Sequence, residues 1–289
     1  MKMKKSMLAA AAVALAVVAT SCRKNHDVQA KPQGTDAAVT ATAQDNLPET
    51  SAPVLKTVTS DISNNVSGLI TGLPARYDST TKHYPMLVFV HGMGQFSGNS
   101  AKLNSVMQLG TVKVMQEQQF PASFTVNGQN YSFIVAAPQF KQWATAADLN
   151  SFIDYMTKNY RVDASRIYIA GFNMGGALAW EFAGAYPSKV AAIVPIAGPS
   201  FADEKRTAAI ASNGVGVWAF HNTDDKVVPS ATTRQIVEKV NSFGPATAAK
   251  LTLFTSAEHD AWTKATDPNY KENGVNIYEW MLQFSKSAK

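Results

Sequence analysis

Short, uniformly apolar runs alternate with helical segments from about residue 54 onward, and this alternation constrains the fold more than any other feature. The runs Met86–Val90 and Phe133–Ala137 are apolar throughout, which is typical of central strands that are covered on both faces. The segment Asp148–Tyr160 instead places its apolar residues at helical spacing. Strands and helices that alternate in this way predict an α/β fold, with a mostly parallel central sheet and helices on both faces.

The first 53 residues lack this alternation and divide into two parts. Residues 1–21 combine three lysines with the apolar run Met7–Ala19, whose 13 residues are too few to span a bilayer, which takes about 20. This length and these flanks are typical of a secretory signal peptide. Residues 22–53 are poor in large apolar residues and rich in Ala, Thr, Asp, Gln and Pro, so they are predicted to form a flexible tether. Residues 54–289 are predicted to form one domain.

The apolar run ends in Ala19-Thr20-Ser21, directly before Cys22. Small residues ahead of a cysteine at this place resemble a bacterial lipobox, in which the cysteine becomes the lipidated first residue of the mature protein. The resemblance implies an exported lipoprotein that is held at a membrane of the bacterial cell envelope through Cys22, on its periplasmic or surface side. The alternative is an ordinary signal peptide followed by a free cysteine, and both interpretations predict export.

Composition excludes several other classes of protein. The chain has one cysteine, which rules out an intramolecular disulfide framework and a cysteine-based zinc site. Three lysines of the signal peptide account for most of the net charge of +5, so the rest of the chain carries +2. A charge this small gives no reason to expect a nucleic-acid partner. The sequence shows no metal-ligand spacing and no nucleotide or phosphate motif, and we expect a monomer without a metal or a cofactor.

Four motifs follow predicted strands, where the ligand sites of parallel sheets lie. The first is His91-Gly92-Met93-Gly94. The second, Gly171-Phe172-Asn173-Met174-Gly175-Gly176, joins a strand to a helix, and its glycines permit a sharp turn that lifts residue 173 out of the sheet. Asp224-Asp225 and Glu258-His259-Asp260 each follow a later strand. Because parallel strands end at one edge of a sheet, we expect the four motifs to converge there.

The order of these motifs resembles that of the α/β-hydrolase fold, with a glycine-flanked turn, then an acid, then a histidine. More narrowly, Leu73–Asp78, Val162–Tyr168 and His259–Thr263 are similar to secreted esterases of the feruloyl, acetylxylan and polyhydroxybutyrate-depolymerase type. The resemblance covers about residues 66–286 and implies hydrolysis of carboxylic esters through a Ser-His-Asp triad.

The resemblance assigns the acid and the base of the triad to individual residues. Asp225 matches the acid, because it stands three residues before a Val-Pro pair, and Asp224 is the alternative. His259 matches the general base. His91 and His221 also follow predicted strands, but residues at these positions are structural in the family, so they are assigned no part in the chemistry.

Asn173 stands at the position of the nucleophile, where the family has serine, while the backbone N–H groups of Met93 and Met174 match the oxyanion hole. A carboxamide has no hydroxyl for His259 to deprotonate, so an acyl-enzyme cannot form in the usual way. Three explanations are open. The asparagine is natural and the protein is a pseudoenzyme, or it is a Ser→Asn change in an active esterase, or it deamidates to aspartate. The last is disfavoured at this point because Asn-Met is not a fast-deamidating pair.

Gln139, Trp143 and Trp262 are the candidates for contacts to the substrate, since each follows a strand and offers an amide or an aromatic ring. No large cap domain fits above them, because only 20 residues separate the strand that ends near Ile196 from the strand that begins near Val217. The sequence therefore supports two functions. One is an esterase that Asn173 leaves inactive or severely impaired, and the other is a pseudoenzyme that binds acylated polysaccharide or ester ligands. Whether the protein acts as an enzyme stays open at this level.

Overall fold

A computed structural model describes residues 46–287 of the chain. The predicted signal peptide, Cys22 and the first part of the predicted tether, through residue 45, lie outside the described residues. Between residues 46 and 287, no helix is both long enough and apolar enough to cross a membrane.

The described part of the chain contains ten strands. They are β1 Val54–Ser63, β2 Val66–Leu73, β3 Tyr84–Val90, β4 Phe124–Val126, β5 Gln129–Tyr131, β6 Ile134–Phe140, β7 Val162–Phe172, β8 Ala192–Ile196, β9 Gly216–Asn222 and β10 Lys250–Phe254. Eight of them form the central sheet in the order β1-β2-β6-β3-β7-β8-β9-β10. From β6 to β10 in this order all neighbouring strands are parallel. Strand β2 pairs antiparallel with β6, and β1 pairs antiparallel with β2. Strands β4 and β5 form a separate hairpin.

Helices connect the parallel strands. The α-helices are α1 Gly110–Gln116, α2 Ala146–Asn159, α3 Met174–Ala185, α4 Glu204–Ser212, α5 Ser230–Ser242, α6 Trp262–Ala265 and α7 Ile277–Met281. Three 3₁₀ segments cover Tyr77–Ser79, Met93–Gln95 and Ser100–Gln108.

The sheet separates two apolar cores. Met86, Val88 and Val90 of β3 belong to the core beneath helices α2 to α5. Leu87 and Phe89 belong to the core on the other face, beneath α1, α6 and α7. All five side chains are fully buried, as the period-two alternation of a strand covered on both faces requires. The prediction of a mostly parallel sheet with helices on both faces is confirmed.

Helix boundaries differ from the sequence prediction where side chains cap the ends. Helix α2 begins before the predicted Asp148, because the Thr145 hydroxyl accepts from the Asp148 N–H and the Asp148 carboxylate accepts from the Thr145 N–H. Helix α4, which the sequence analysis does not predict, lies between β8 and β9 and has nine residues. This connection is too short to form a large cap, in agreement with the prediction.

Residues 46–53 pack against the domain, although the sequence analysis assigns them to the flexible tether. The buried Glu49 carboxylate accepts a hydrogen bond from the Arg76 N–H at 2.7 Å and faces the Arg76 guanidinium at 3.8 Å. Asn46 accepts from the N–H of Asn130 at 2.9 Å and from its side-chain amide at 2.8 Å. The predicted boundary at residue 53 is therefore too late. These partners are distant in sequence, so nothing in the composition of the tether indicates them.

We expect Glu49→Ala to lower the free energy of unfolding by about 2 kcal/mol, because it leaves the Arg76 N–H without its charged acceptor. Urea unfolding measures the change. The matched control is Glu238→Ala, which removes an exposed carboxylate from α5 and should change the free energy by less than about 0.5 kcal/mol. Equal effects of the two substitutions would contradict the packing of residues 46–53 against the domain.

Candidate active site

The four sequence motifs meet at the edge of the sheet where the parallel strands end. The register pairs Val90 at the end of β3 with Gly171 of β7. It also pairs Phe254 at the end of β10 with Asn222 at the end of β9. The loops that follow these strands therefore leave the sheet side by side, at the edge where α/β proteins bind ligands.

Asn173 forms the sharp turn between β7 and α3. Its φ of 53° lies in the left-handed region that non-glycine residues rarely enter, and its ψ is −118°. Two glycines make the turn possible. A Cβ on Gly171 would lie 2.7 Å from the backbone of Gly175, and a Cβ on Gly175 would lie 2.2 Å from the carbonyl oxygen of Val90. Helix α3 consequently starts directly above the sheet edge, with Asn173 at the turn.

The Asn173 side chain begins a hydrogen-bonded chain that runs through His259 to Asp225. Nδ2 of Asn173 lies 2.8 Å from Nε2 of His259, and Nδ1 of His259 lies 2.7 Å from Oδ2 of Asp225. An amide nitrogen can only donate, so Nε2 of His259 accepts, and Nδ1 carries the proton that it donates to Asp225. This tautomer is the one that a general base beside a nucleophile needs.

Asp225 is buried and yet well placed to stay ionised. Burial raises the pKa of its carboxyl, but hydrogen bonds from His259 and from the N–H groups of Val228 and Val227 outweigh burial and hold the pKa below its usual value. The two backbone groups donate to Oδ1 at 2.8 and 2.9 Å, which leaves Oδ2 for His259. Asp224, the alternative acid, is exposed, so the geometry favours Asp225.

His221 lies behind the Asp225 carboxylate, with its Nε2 3.3 Å from Oδ2. The Nε2–H donates to the carbonyl of Val228 at 2.9 Å, so Nδ1 accepts from the hydroxyl of Thr233 at 2.8 Å. Burial lowers the pKa of His221 and thereby favours the neutral ring. Both nitrogens are engaged within the fold, which makes His221 a support for the acid.

Asn222 ties the loop of the acid to the loop of the histidine. Its buried Nδ2 donates to the carbonyl of Glu258 at 2.7 Å, one residue before His259. The contact fixes the backbone next to His259 relative to the loop that carries Asp225. Sequence analysis missed this role, because the partner carbonyl is 36 residues away in the sequence.

The backbone N–H groups of Met93 and Met174 lie next to Asn173. Met93 N is 3.5 Å from Oδ1 of Asn173, which also identifies the oxygen end of the carboxamide. Met174 is the first residue of α3, and N–H groups in a first helical turn have no partner inside the helix. Two donors are therefore available near the position of the nucleophile, as an oxyanion hole requires.

His91 holds the loop that carries Met93. The N–H of Phe140 donates to Nε2 of His91 at 3.0 Å, so Nδ1 carries the proton and donates to the carbonyl of Gly92 at 2.7 Å. Burial lowers the pKa of His91 to about 4, and the ring is neutral near neutral pH. The ends of β3 and β6 are thus joined directly beneath the first oxyanion donor.

Of the three residues predicted to contact substrate, two are at least partly exposed and one is enclosed. Trp143 is exposed in the loop after β6. Trp262 is half-buried, packs on Phe172 with ring centroids 4.4 Å apart, and turns an edge toward His259. Gln139 is buried, and its Nε2 donates to acceptors of Gln95, Lys102 and Ser105. The structure contradicts the prediction for Gln139, because an enclosed amide with three acceptors in the fold is not available to a ligand.

Four exposed apolar side chains follow strands that end at the same edge of the sheet as the site, and we call them the exposed apolar rim: Met93, Trp143, Phe201 and Val227. These side chains are 44 to 72 % exposed, and each lies in the connection directly after a strand. Large apolar groups gathered at one edge are typical of a ligand-binding surface. Sequence analysis missed Phe201 and Val227, since exposure is not visible in a sequence. Their position directly after strands is the signal that could have indicated them.

Comparison with known proteins places the chain in a family. A profile described as phospholipase/carboxylesterase matches residues 77–267, more than half of the chain. The chain belongs to the phospholipase/carboxylesterase family. Among its relatives is a bifunctional acetylxylan esterase/xylanase of Neocallimastix patriciarum, which is 24% identical over 200 residues. The match covers 68% of this chain and 26% of that protein, so the chain spans about a quarter of its relative.

Solved structures with a similar fold include several carboxylesterases. A thermostable esterase has a TM-score of 0.57 at 21% identity, over 81% of this chain and 63% of that one. A ferulic acid esterase of Anaeromyces mucronatus, solved with ferulic acid, has a TM-score of 0.55 at 14% identity over 83% of this chain and 96% of its own. A feruloyl esterase module of Clostridium thermocellum has a TM-score of 0.52 at 18% identity, over 83% and 90% of the two chains. The predicted α/β-hydrolase fold is confirmed.

A metal-assisted mechanism has no ligand set in the part of the chain that the structure describes. No group of three or more His, Cys, Asp or Glu side chains within residues 46–287 could hold a metal ion. The candidate chemistry of the site therefore consists of a base with its acid, two N–H donors and the carboxamide of Asn173.

The neutral His91 generates a pH dependence of stability. Its pKa is about 4 in the folded chain and returns toward the usual value near 6.5 on unfolding, so only the unfolded state binds a proton between these values. The contribution of the neutral His91 to the free energy of unfolding is complete above about pH 6.5. It is lost as the pH falls to about 4, a loss of ~3 kcal/mol. We expect His91→Gln to remove this part of the pH dependence in urea unfolding. The control is His83→Gln at an exposed histidine, and an unchanged pH profile in His91→Gln would contradict the assignment.

Proposed function

We propose that this protein binds a carboxylic ester of an acylated glycan in an esterase site and, with Asn173 at the position of the nucleophile, hydrolyses it little or not at all. The hydrogen bond between Nδ2 of Asn173 and Nε2 of His259 carries the proposal. The base is aligned with its acid, but it faces an amide whose N–H donates a hydrogen bond and is too weak an acid for the imidazole to deprotonate. A serine at the same place would present a hydroxyl.

The remaining groups fit the binding of an ester carbonyl. In the family pattern a hydroxyl attacks the carbonyl, His259 takes its proton, Asp225 orients His259, and two N–H groups hold the developing oxyanion. Here the N–H of Met93 is 3.5 Å from Oδ1 of Asn173, a long contact that the carbonyl oxygen of a ligand can replace. Asn173 therefore removes the attack and leaves the donors for binding.

The exposed apolar rim and the names of the relatives support an acylated glycan as the ligand. The similar proteins include an acetylxylan esterase/xylanase and two feruloyl or ferulic acid esterases, whose names specify an acetylated xylan in the first case and an aromatic acyl group in the other two. The rim offers Trp143 and Phe201 as surfaces for a sugar or aromatic ring. The short connection through α4 leaves this edge open to a large ligand.

We extend the proposal to the cell envelope, where a lipid at Cys22 would anchor a monomer after export. The sequence pattern of residues 1–22 supports export and the anchor. The contacts of Asn46 and Glu49 support the geometry, because their partners Asn130 and Arg76 lie at the sheet edge where the parallel strands begin. Residue 46, where the described part of the chain begins, therefore lies near the end of the sheet opposite the site.

A second candidate function is an active esterase that a Ser→Asn change has disabled, and the intact pair of Asp225 and His259 favours it. Both candidates make the same prediction for a serine variant. We expect Asn173→Ser to raise kcat/KM for a p-nitrophenyl ester by at least about 10³-fold, because a triad that lacks its nucleophile loses most of its rate. Initial rates on freshly purified residues 23–289 of both forms measure the ratio.

The control for this comparison is Asn173→Ser combined with His259→Ala, which keeps the hydroxyl and removes the base. It should return to the rate of the Asn173 form. Strong turnover by the Asn173 form would overturn the proposed loss of hydrolysis. An inactive serine variant that folds like the parent would overturn the roles of Asp225 and His259.

We expect Trp143→Ala to raise the Kd for an acetylated xylo-oligosaccharide or for ferulate by about tenfold, the loss expected for one stacked aromatic ring. Calorimetry on the Asn173 form measures binding without hydrolysis. The control is Phe243→Ala, which removes an exposed aromatic ring at the end of α5, away from the strand ends. Equal affinities of Trp143→Ala and the parent for both ligands would contradict binding at the apolar rim.

A further inference from the structure

We propose that Asn173 is a site of self-modification, at which its side chain condenses with the backbone nitrogen of Met174. The product is a cyclic succinimide that water opens to aspartate or isoaspartate. This inference goes beyond the proposed function and does not depend on any ligand, because it rests on the backbone geometry of the turn between β7 and α3.

The ψ angle of Asn173 sets up the ring. Viewed along the Cα–C bond, the Cβ of an L-residue lies about a third of a turn away from the backbone nitrogen of the same residue. With ψ at −118°, Cβ therefore lies almost in eclipse with the nitrogen of Met174. Four of the five ring atoms, which are the Met174 nitrogen and the C, Cα and Cβ of Asn173, are then nearly coplanar. Rotation about Cα–Cβ is the freedom that remains before Cγ meets the nitrogen.

This conformation is costly in an unfolded chain and is held in place here by the fold. A non-glycine residue at a φ of 53° with this ψ lies outside the commonly allowed regions and is rarely populated in a flexible chain. The packing of Gly175 against the carbonyl of Val90 leaves the turn no room to relax. The folded chain thus holds the conformation that ring closure requires. Flexible peptides rarely adopt this conformation, which limits the rate at which their rings close.

The surroundings of the carboxamide suit the bond changes. The N–H of Met174 lies in the first turn of α3, where no carbonyl of the helix accepts from it. The N–H of Met93 is 3.5 Å from Oδ1, on which negative charge develops when Cγ is attacked. The departing Nδ2 faces Nε2 of His259.

The reaction balances with water as the one added reactant. The Met174 nitrogen loses its proton and bonds to Cγ of Asn173, and the Cγ–Nδ2 bond then breaks. Nδ2 leaves as ammonia and takes up the equivalent of that proton. Water adds to one of the two ring carbonyls, and the ring opens to an aspartate, when the side-chain carbonyl is attacked, or to an isoaspartate, when the backbone carbonyl is attacked.

Asn213 provides an internal comparison within the chain. It precedes Gly214, and Asn-Gly is a faster pair than Asn-Met in flexible peptides because glycine does not hinder the attack. In the structure, however, Asn213 has a ψ of 6°, which turns its Cβ far from the nitrogen of Gly214. The sequence therefore predicts faster ammonia loss at Asn213, whereas the backbone conformation of the folded chain predicts faster ammonia loss at Asn173.

The aspartate product changes the chemistry of the site. It replaces the carboxamide with a carboxylate beside His259 and the N–H of Met93, and carboxylates act as covalent nucleophiles in several enzyme classes. The isoaspartate product inserts Cβ into the main chain and breaks the turn. An aged sample would thus contain up to four forms of residue 173, which are asparagine, the succinimide, aspartate and isoaspartate.

The test follows ammonia loss at single residues by peptide mapping and mass spectrometry. The parent chain is kept at mildly alkaline pH, one portion folded and one portion in urea, with heavy-oxygen water to mark ring opening. We expect Asn173 to convert about tenfold faster in the folded than in the unfolded portion, the ratio that corresponds to its conformational cost. Asn213 should convert faster when unfolded.

Two results would overturn the proposal. One is conversion of Asn173 that is slower in the folded chain than in urea, and the other is conversion of Asn173 that is slower than conversion of Asn213 in the folded chain. Asn173→Gln serves as the control, because its ring would need a sixth atom, and residue 173 should then lose no ammonia on the same timescale. The readout is a mass, so its result is independent of whether Asn173→Ser gains esterase activity.

Discussion

The close approach of helix α3 to strand β3 is the constraint on which the rest of the site depends. Gly175 lies so near the carbonyl of Val90 that any side chain there would collide with it, and this contact forces the chain to turn at Asn173. The turn sets the positive φ of Asn173 and exposes the first N–H of the helix. Because the backbone of the fold imposes this conformation, we expect it to persist when serine replaces Asn173.

The polar groups behind Asn173 form a second rigid unit. Two backbone N–H groups hold one oxygen of the Asp225 carboxylate, and His259 and the neutral His221 approach the other. Removing one partner of a buried charged contact costs several kcal/mol, so such a network resists piecemeal loss. Asn222 adds a direct bond between the loops that carry Asp225 and His259. The cleft therefore keeps its shape without a nucleophile, as a protein that binds an ester requires.

The sequence predicted what depends on periodicity and motif order. The run Met86–Val90 indicated a doubly covered strand, and the places of Asp225 and His259 after predicted parallel strands indicated residues that meet. It did not predict that Gln139 is enclosed, because the three groups that accept from its amide come from a segment folded back over β6. Nor did it predict Glu49 as part of the domain, since its partner is 27 residues away. Long-range pairing of polar groups leaves no local pattern to find.

The turn at residue 173 that would suit a serine nucleophile also suits the ring closure that we propose for an asparagine. A nucleophile must project from the turn beside a free N–H that receives the oxyanion, and the ψ of −118° provides both features. For an asparagine the same N–H belongs to the nitrogen that lies in plane with its own side chain. A Ser→Asn substitution at position 173 thus replaces the attack of a hydroxyl on a bound ester with the attack of the Met174 nitrogen on the asparagine side chain. In this view the residue present at position 173 depends on the age of the molecule, and the chemistry of the cleft changes with it.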